Sequence, residues 1–147
     1  MTDINDTLGV AYSLKKAIED TLLIDTHLHY NGMPTPKTLP HVIIKQMLSP
    51  ISYVSKARET VAIDMNFEVT IYSNSLSEST AEADALRNLL IFGDFTYYDR
   101  LGAKQGDNTF SVEVENVYAP EFTDITDETR RHAVYFMIRV GGTLHKY

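Results

Sequence analysis

The feature that most constrains the fold is the run from Thr60 to Tyr72, in which apolar and polar residues alternate. The apolar residues occupy every odd position: Val61, Ile63, Met65, Phe67, Val69 and Ile71. Successive side chains of a strand point to opposite faces, so the run predicts a strand with one buried face and one wet face. Such a strand is typical of an antiparallel sheet. At ~3.3 Å per residue it would extend roughly 40 Å, which is long enough to project from the domain and take part in assembly.

Two other segments have helical spacing. From Asp6 to Thr21 the apolar residues form a single stripe: Leu8, Ala11, Leu14, Ile18 and Leu22. After the long strand, Ser79-x-x-Glu82 fits a capping box and predicts a helix that starts at Ser79 and ends at Gly93. The predicted buried stripe of this second helix is Ala81, Ala85, Leu86, Leu89 and Leu90.

Further strands are predicted at residues 41–48, 110–118 and 131–140, with residues 22–30 as another candidate. Residues 33–40 contain three prolines and are predicted to form a loop, and residues 101–108 a turn region. The strands occur in runs and do not alternate one for one with helices. The predicted fold is therefore α+β, with two helices on one face of a mostly antiparallel sheet of four to five strands, in the order α-β-β-β-α-β-β. With neither a repeat nor a linker, residues 1–147 are predicted to form one domain.

Composition excludes several classes of function. The chain has 20 acidic and 13 basic residues, a net charge of −7, which disfavours non-specific binding to nucleic-acid phosphates. It has no cysteine, which excludes disulfides and thiolate metal sites. No apolar run approaches the ~20 residues that cross a bilayer, so we expect no membrane partner. The acidic N-terminus is unlike a signal peptide.

The segment LLIDTHLHYNG, which begins at Leu22, resembles the start of metal-dependent amidohydrolases. On a strand, His27 and His29 would share one face with Asp25, so the two histidines could share a metal. A catalytic zinc usually has three protein ligands, and the amidohydrolase barrel needs about 200 residues or more. The pair is therefore interpreted as the polar face of a strand or loop, and a small metal-dependent hydrolase remains an alternative. No catalytic residue, metal ligand or cofactor is predicted.

Six segments carry a second resemblance. In chain order they are LGVAYSLKKAIEDTL, LPHVIIKQ, TVAIDMNFEVTIYSNS, STAEADALRNLLI, FSVEVENVYAPEF and RRHAVYFMIRV. In element order, length and pattern, over roughly residues 5–140, the chain resembles the small tail-terminator and head–tail joining proteins of long-tailed bacteriophages.

This resemblance implies a structural protein of the virion, assembled in the host cytoplasm, and not an enzyme. It implies a hexameric ring that ends the tail tube and contacts both the tube protein and the head connector or head-completion proteins. DNA would pass through the lumen without specific binding, and a negatively charged wall suits that passage because like charges repel. Another virion subunit of related fold, from the tail tube or head completion, is an alternative.

A ring that closes head to tail needs two different surfaces on each subunit. Arg131, Tyr135 and Arg139 share one face of the last predicted strand, and Tyr and Arg are enriched at interfaces. The acidic loop before that strand offers a complementary surface through Glu121, Asp124, Asp127 and Glu128. These two sets are the predicted subunit interface. The alternative is that the arginines are solvated or pair within their own subunit.

Overall fold

The structure is a computed structural model that describes residues 4–34, 38–47, 51–53, 60–119 and 132–145. Its elements in chain order are α1 (Thr7–Leu22), β1 (Asp25–Leu28), β2 (His41–Gln46), β3 (Ile51–Tyr53), β4 (Thr60–Tyr72), α2 (Leu76–Phe92), β5 (Phe95–Tyr98), β6 (Lys104–Phe110), β7 (Glu113–Tyr118) and β8 (Ala133–His145). The predicted α+β class is confirmed. Three short strands, β3, β5 and β6, add to the predicted order.

The main sheet has the strand order β1-β2-β4-β8-β7. Within the described ranges β1 and β2 pair in parallel, and the other neighbours in this sheet are antiparallel. The long strand β4 pairs with β8 over its whole length, from Thr60 opposite His145 to Tyr72 opposite Ala133. On its other side β4 pairs first with β3 and then with β2. The two longest strands therefore form the centre of the sheet.

The alternation of β4 determines where the core lies. Met65, Phe67, Val69 and Ile71 are fully buried, as predicted, together with apolar residues of α1 and α2. Both helices pack on this face, which we call the core face, and they also contact each other. The predicted arrangement of two helices on one face is thus confirmed.

The small sheet β5–β6 is attached to α1 through Ser13. The Ser13 hydroxyl accepts a hydrogen bond from the Tyr98 amide (2.8 Å) and donates one to the Gly9 carbonyl (2.7 Å). Gly9 allows this close approach, since a Cβ at that position would lie 2.7 Å from the Tyr98 carbonyl oxygen. This anchoring explains why residues 104–108, predicted as a turn, instead belong to strand β6.

Helix α2 differs from the prediction at its start and in its buried stripe. It begins at Leu76, where the Ser75 hydroxyl accepts a hydrogen bond from the Glu78 amide (3.2 Å). Ser75-x-x-Glu78 is a second Ser-x-x-Glu sequence, and Ser79 is buried one turn inside the helix. The buried stripe also differs from the predicted one. Ala81 and Ala85, which were predicted to be buried, are exposed, whereas Leu86 and Leu90 are buried as predicted. The predicted end at Gly93 is confirmed.

The last strands also differ from their predicted bounds. The predicted strand 110–118 is divided, because Phe110 ends β6 whereas Glu113 starts β7. Strand β8 continues past the predicted end, through Gly141 and Gly142. A Cβ at Gly142 would overlap the carbonyl oxygen of Ile4, so a glycine lets the N-terminal segment pass close to β8. No helix within the described ranges is long and apolar enough to cross a membrane.

Candidate subunit interface

The face of the main sheet opposite the core face is the candidate functional surface, and we call it the open face. Cross-strand pairing places its residues in rows. Two rows start on β1 and run across the sheet. The first contains Asp25, His41, Tyr72 and Ala133, and the second contains His27, Ile43, Thr70, Tyr135 and Tyr118. The next two are Lys45, Glu68, Met137 and Asn116, and then Asn66, Arg139 and Glu113. Among the described residues, the helices pack only on the core face, and most open-face side chains are half-buried or exposed.

Arg139 lies in an acidic environment on this face. Its guanidinium group forms an ion pair with Glu113, and it lies 3.5 Å from a carboxylate oxygen of Glu115 and 3.8 Å from one of Asp64. The hydrogen bond that Arg139 donates to Glu113, followed by the nearby negative charges, raises the pKa of Arg139. Arg139 therefore pairs within its own subunit, and three carboxylates against one guanidinium leave this part of the open face negative.

Tyr135, the second predicted interface residue that the structure describes, lies on the same face. Its ring stacks on that of Tyr118, with centroids 5.1 Å apart and planes 7° from parallel. Partial burial and then the Glu68 carboxylate raise the pKa of Tyr118. The two rings form a flat aromatic surface at the β7 edge of the sheet. The other predicted interface residues lie outside the described ranges: Arg131, Glu121, Asp124, Asp127 and Glu128.

The histidines are arranged differently from the predicted pair. The ring of His27 contacts that of His41, with centroids 6.5 Å apart, whereas His29 follows the end of β1 and is exposed. His41 is only 1% exposed, stacks on Tyr72 at 4.8 Å, and its Nδ1 lies 2.8 Å from the Thr38 carbonyl oxygen. Burial lowers the pKa of His41. In the described part of the chain, no three His, Asp or Glu side chains are grouped so that they could hold a metal ion.

A depression of about 410 Å³ lies beside Arg139, and we call it the Met pocket. Its lining combines two methionines, Met47 and Met137, with the polar side chains of Asp64, Asn66, Glu115 and Arg139. Methionine side chains adapt their shape to a partner, which makes them common on binding surfaces. Sequence reasoning missed this site because its residues come from four strands or strand ends, and only the register brings them together.

The sequence matches no model of a protein family and no curated protein. The open face combines aromatic residues and methionines, which are enriched at protein–protein interfaces, with carboxylates, which are depleted there.

Proposed function

We propose that this protein is a structural component of a bacteriophage virion, a ring of identical subunits that ends the tail tube and joins the tail to the head connector. The observation that carries the proposal is the open face. Among its polar residues, this face presents five apolar or aromatic side chains that are half-buried or exposed: Ile43, Met47, Tyr72, Tyr135 and Met137. Tyrosine and methionine are enriched at subunit contacts.

The β7 edge of the main sheet disfavours subunit contact by pairing with a strand of another chain. Contact through the open face is therefore favoured. Strand β7 is one edge of the main sheet, and its ladder with β8 is irregular between Val114 and Asn116. The strand also carries Glu113 and Glu115. Irregular, charged edges discourage pairing with a strand of another chain.

The net charge of −7 suits a ring around DNA. A lumen with negative walls repels the phosphates and lets DNA pass without being held. The virion location and the contacts with tail tube and head connector come from the resemblance to tail-terminator and joining proteins.

Native mass spectrometry in metal-free buffer tests the proposal, because it measures ring size and bound ions together. We expect a closed hexamer without metal. Ile43→Glu, on the open face, should abolish the hexamer, whereas Ile91→Glu, an equal change at an exposed position of α2, should preserve it. Circular dichroism would verify that both variants are folded.

Phage assembly provides the functional test. A phage strain that lacks the protein should make tails of irregular length, or tails that fail to join heads. Normal tails joined to heads in that strain would contradict the proposal. Open-ended polymers of the purified protein would favour the tail-tube alternative, and a stoichiometric bound metal would favour the hydrolase.

A further inference from the structure

The turn between β5 and β6 presents a leucine to solvent on a rigid support. Leu101 is 90% exposed. One carboxylate oxygen of Asp99 accepts hydrogen bonds from the amides of Leu101 and Ala103, both at 2.9 Å, and the other accepts one from the Gln105 side chain at 3.0 Å. The backbone of Asp99 also bonds to Ala103 and Gly102 at 2.9 Å. A turn held in this way loses little conformational freedom when its tip is bound.

The turn is also fixed to α1. The Arg100 side chain donates two hydrogen bonds to the Asp6 carboxylate, at 2.8 Å and 3.1 Å. Gly102 lies against the ring of Tyr12, since a Cβ there would be 3.4 Å from the Tyr12 hydroxyl oxygen. A single exposed leucine is ordinary on a protein surface. A leucine held at the tip of a turn by so many contacts is a preorganised knob.

Positive charge flanks the knob. The side chain of Arg100 is 61% exposed whereas its partner Asp6 is 17% exposed, so the pair presents the guanidinium group to solvent. Lys104, at the other end of the turn, is exposed as well. The Asp99 carboxylate is directed inward to the amides of the turn. The surface that a partner would meet is therefore an apolar tip beside the exposed Lys104 and the exposed guanidinium group of the Arg100–Asp6 ion pair.

The Met pocket is complementary in shape and in charge. Its volume of about 410 Å³ accommodates a leucine side chain, and its methionines provide apolar contact. Asp64 and Glu115 outnumber Arg139 in the lining and leave it net negative. The pocket lies on the open face, whereas the turn belongs to the layer on the core face, where β5 contacts α1. The two sites are thus separate surfaces of one subunit, as head-to-tail association requires.

We propose that the Leu101 turn of one subunit inserts into the Met pocket of a second copy of this chain. Arg100 and Lys104 then lie beside Asp64 and Glu115 of that copy. Each subunit provides one knob and one pocket, so the contact repeats around a ring until it closes. The inference rests on the proposed ring and identifies the contact that forms it.

Cross-linking tests the contact directly, because the chain has no cysteine of its own. Leu101→Cys protein mixed with Met137→Cys protein under mild oxidation should form a covalent dimer that contains one chain of each kind. The matched control is Leu23→Cys mixed with Met137→Cys. Leu23 is 86% exposed and follows the other end of α1, roughly 16 Å along the helix from Tyr12. Equal dimer yields in the two mixtures would overturn the inference.

Native mass spectrometry separates this inference from the proposed function. The native protein and Leu23→Asp should form rings, and Leu101→Asp should be a folded monomer. Rings of Leu101→Asp, with no specific cross-link, would overturn the contact and leave the ring function standing. A monomeric native protein, together with no specific cross-link between the Leu101→Cys and Met137→Cys variants, would overturn both.

Discussion

Phe67→Ala should cause a large loss of stability, whereas the same substitution at the neighbouring Glu68 should have little effect. Phe67 is fully buried at the centre of β4, with Ile138 of β8 and Gln46 of β2 opposite it. Removing a buried phenylalanine side chain costs about 3–5 kcal/mol. Burial of roughly 150–200 Å² at about 25 cal/mol per Å² gives a similar figure, ~4–5 kcal/mol. This loss is a large share of the ~5–15 kcal/mol that stabilises an ordinary domain.

Urea unfolding followed by circular dichroism measures the loss. The midpoint should fall while the slope against urea stays unchanged, since the variant exposes about the same surface on unfolding. Phe67→Leu should show a smaller loss, which keeps the comparison measurable if the alanine variant is mostly unfolded. The assay should be repeated at several protein concentrations, because assembly adds stability that depends on concentration.

Glu68→Ala is the matched control, since Glu68 is the next residue on the same strand and lies half-buried on the open face. Its removal should change the free energy of unfolding by less than about 0.5 kcal/mol. Equal losses at the two positions would mean that the monomer buries both faces of the sheet. That result would refute both the one-sided core and the open face.

Three further predictions follow from the structure. Gly142→Ala should lower the melting temperature, because its Cβ would overlap the backbone of the N-terminal segment. Gly141→Ala, whose Cβ would meet open space, should not. Equal effects of the two substitutions would contradict the close packing of the N-terminal segment on β8. Burial lowers the pKa of His41 from its ordinary value of 6.5, so just below pH 6.5 the unfolded chain binds more protons than the folded protein. The contribution of neutral, buried His41 to the free energy of unfolding is therefore complete above about pH 6.5 and is lost as the pH falls towards the folded pKa. In His41→Gln, the free energy of unfolding measured in urea should vary less between pH 5 and 7 than in the native protein. The same variation with pH in both proteins would contradict this assignment. Alanine at both His27 and His29 should leave the protein folded and assembled, and neither protein should respond to zinc or chelator in a melting assay; a zinc shift abolished in the variant would restore the hydrolase hypothesis.

Local pattern determined the largest elements. Six alternations predicted β4 and its buried face, and a stripe at helical spacing predicted α1 to within one residue at each end. Both predictions succeed because the period of apolar residues records which face of an element is buried, and that information lies within a few neighbouring residues. The predicted start of α2 was wrong for a related reason: the segment from Ser75 to Glu82 has two Ser-x-x-Glu sequences, and local sequence cannot choose between them.

Tertiary structure decided the rest. The polar segment of β6 became a strand because β5, its partner, is attached to α1 through Ser13, 85 residues away from Tyr98 in sequence. The stacking of His41 on Tyr72, and the meeting of Met47 with Met137, depend on the registers that join β2, β4 and β8. A period shows which face a side chain lies on, but not which residue of another strand lies beside it. That choice comes from pairing between distant segments, and the candidate interface is built from such pairings.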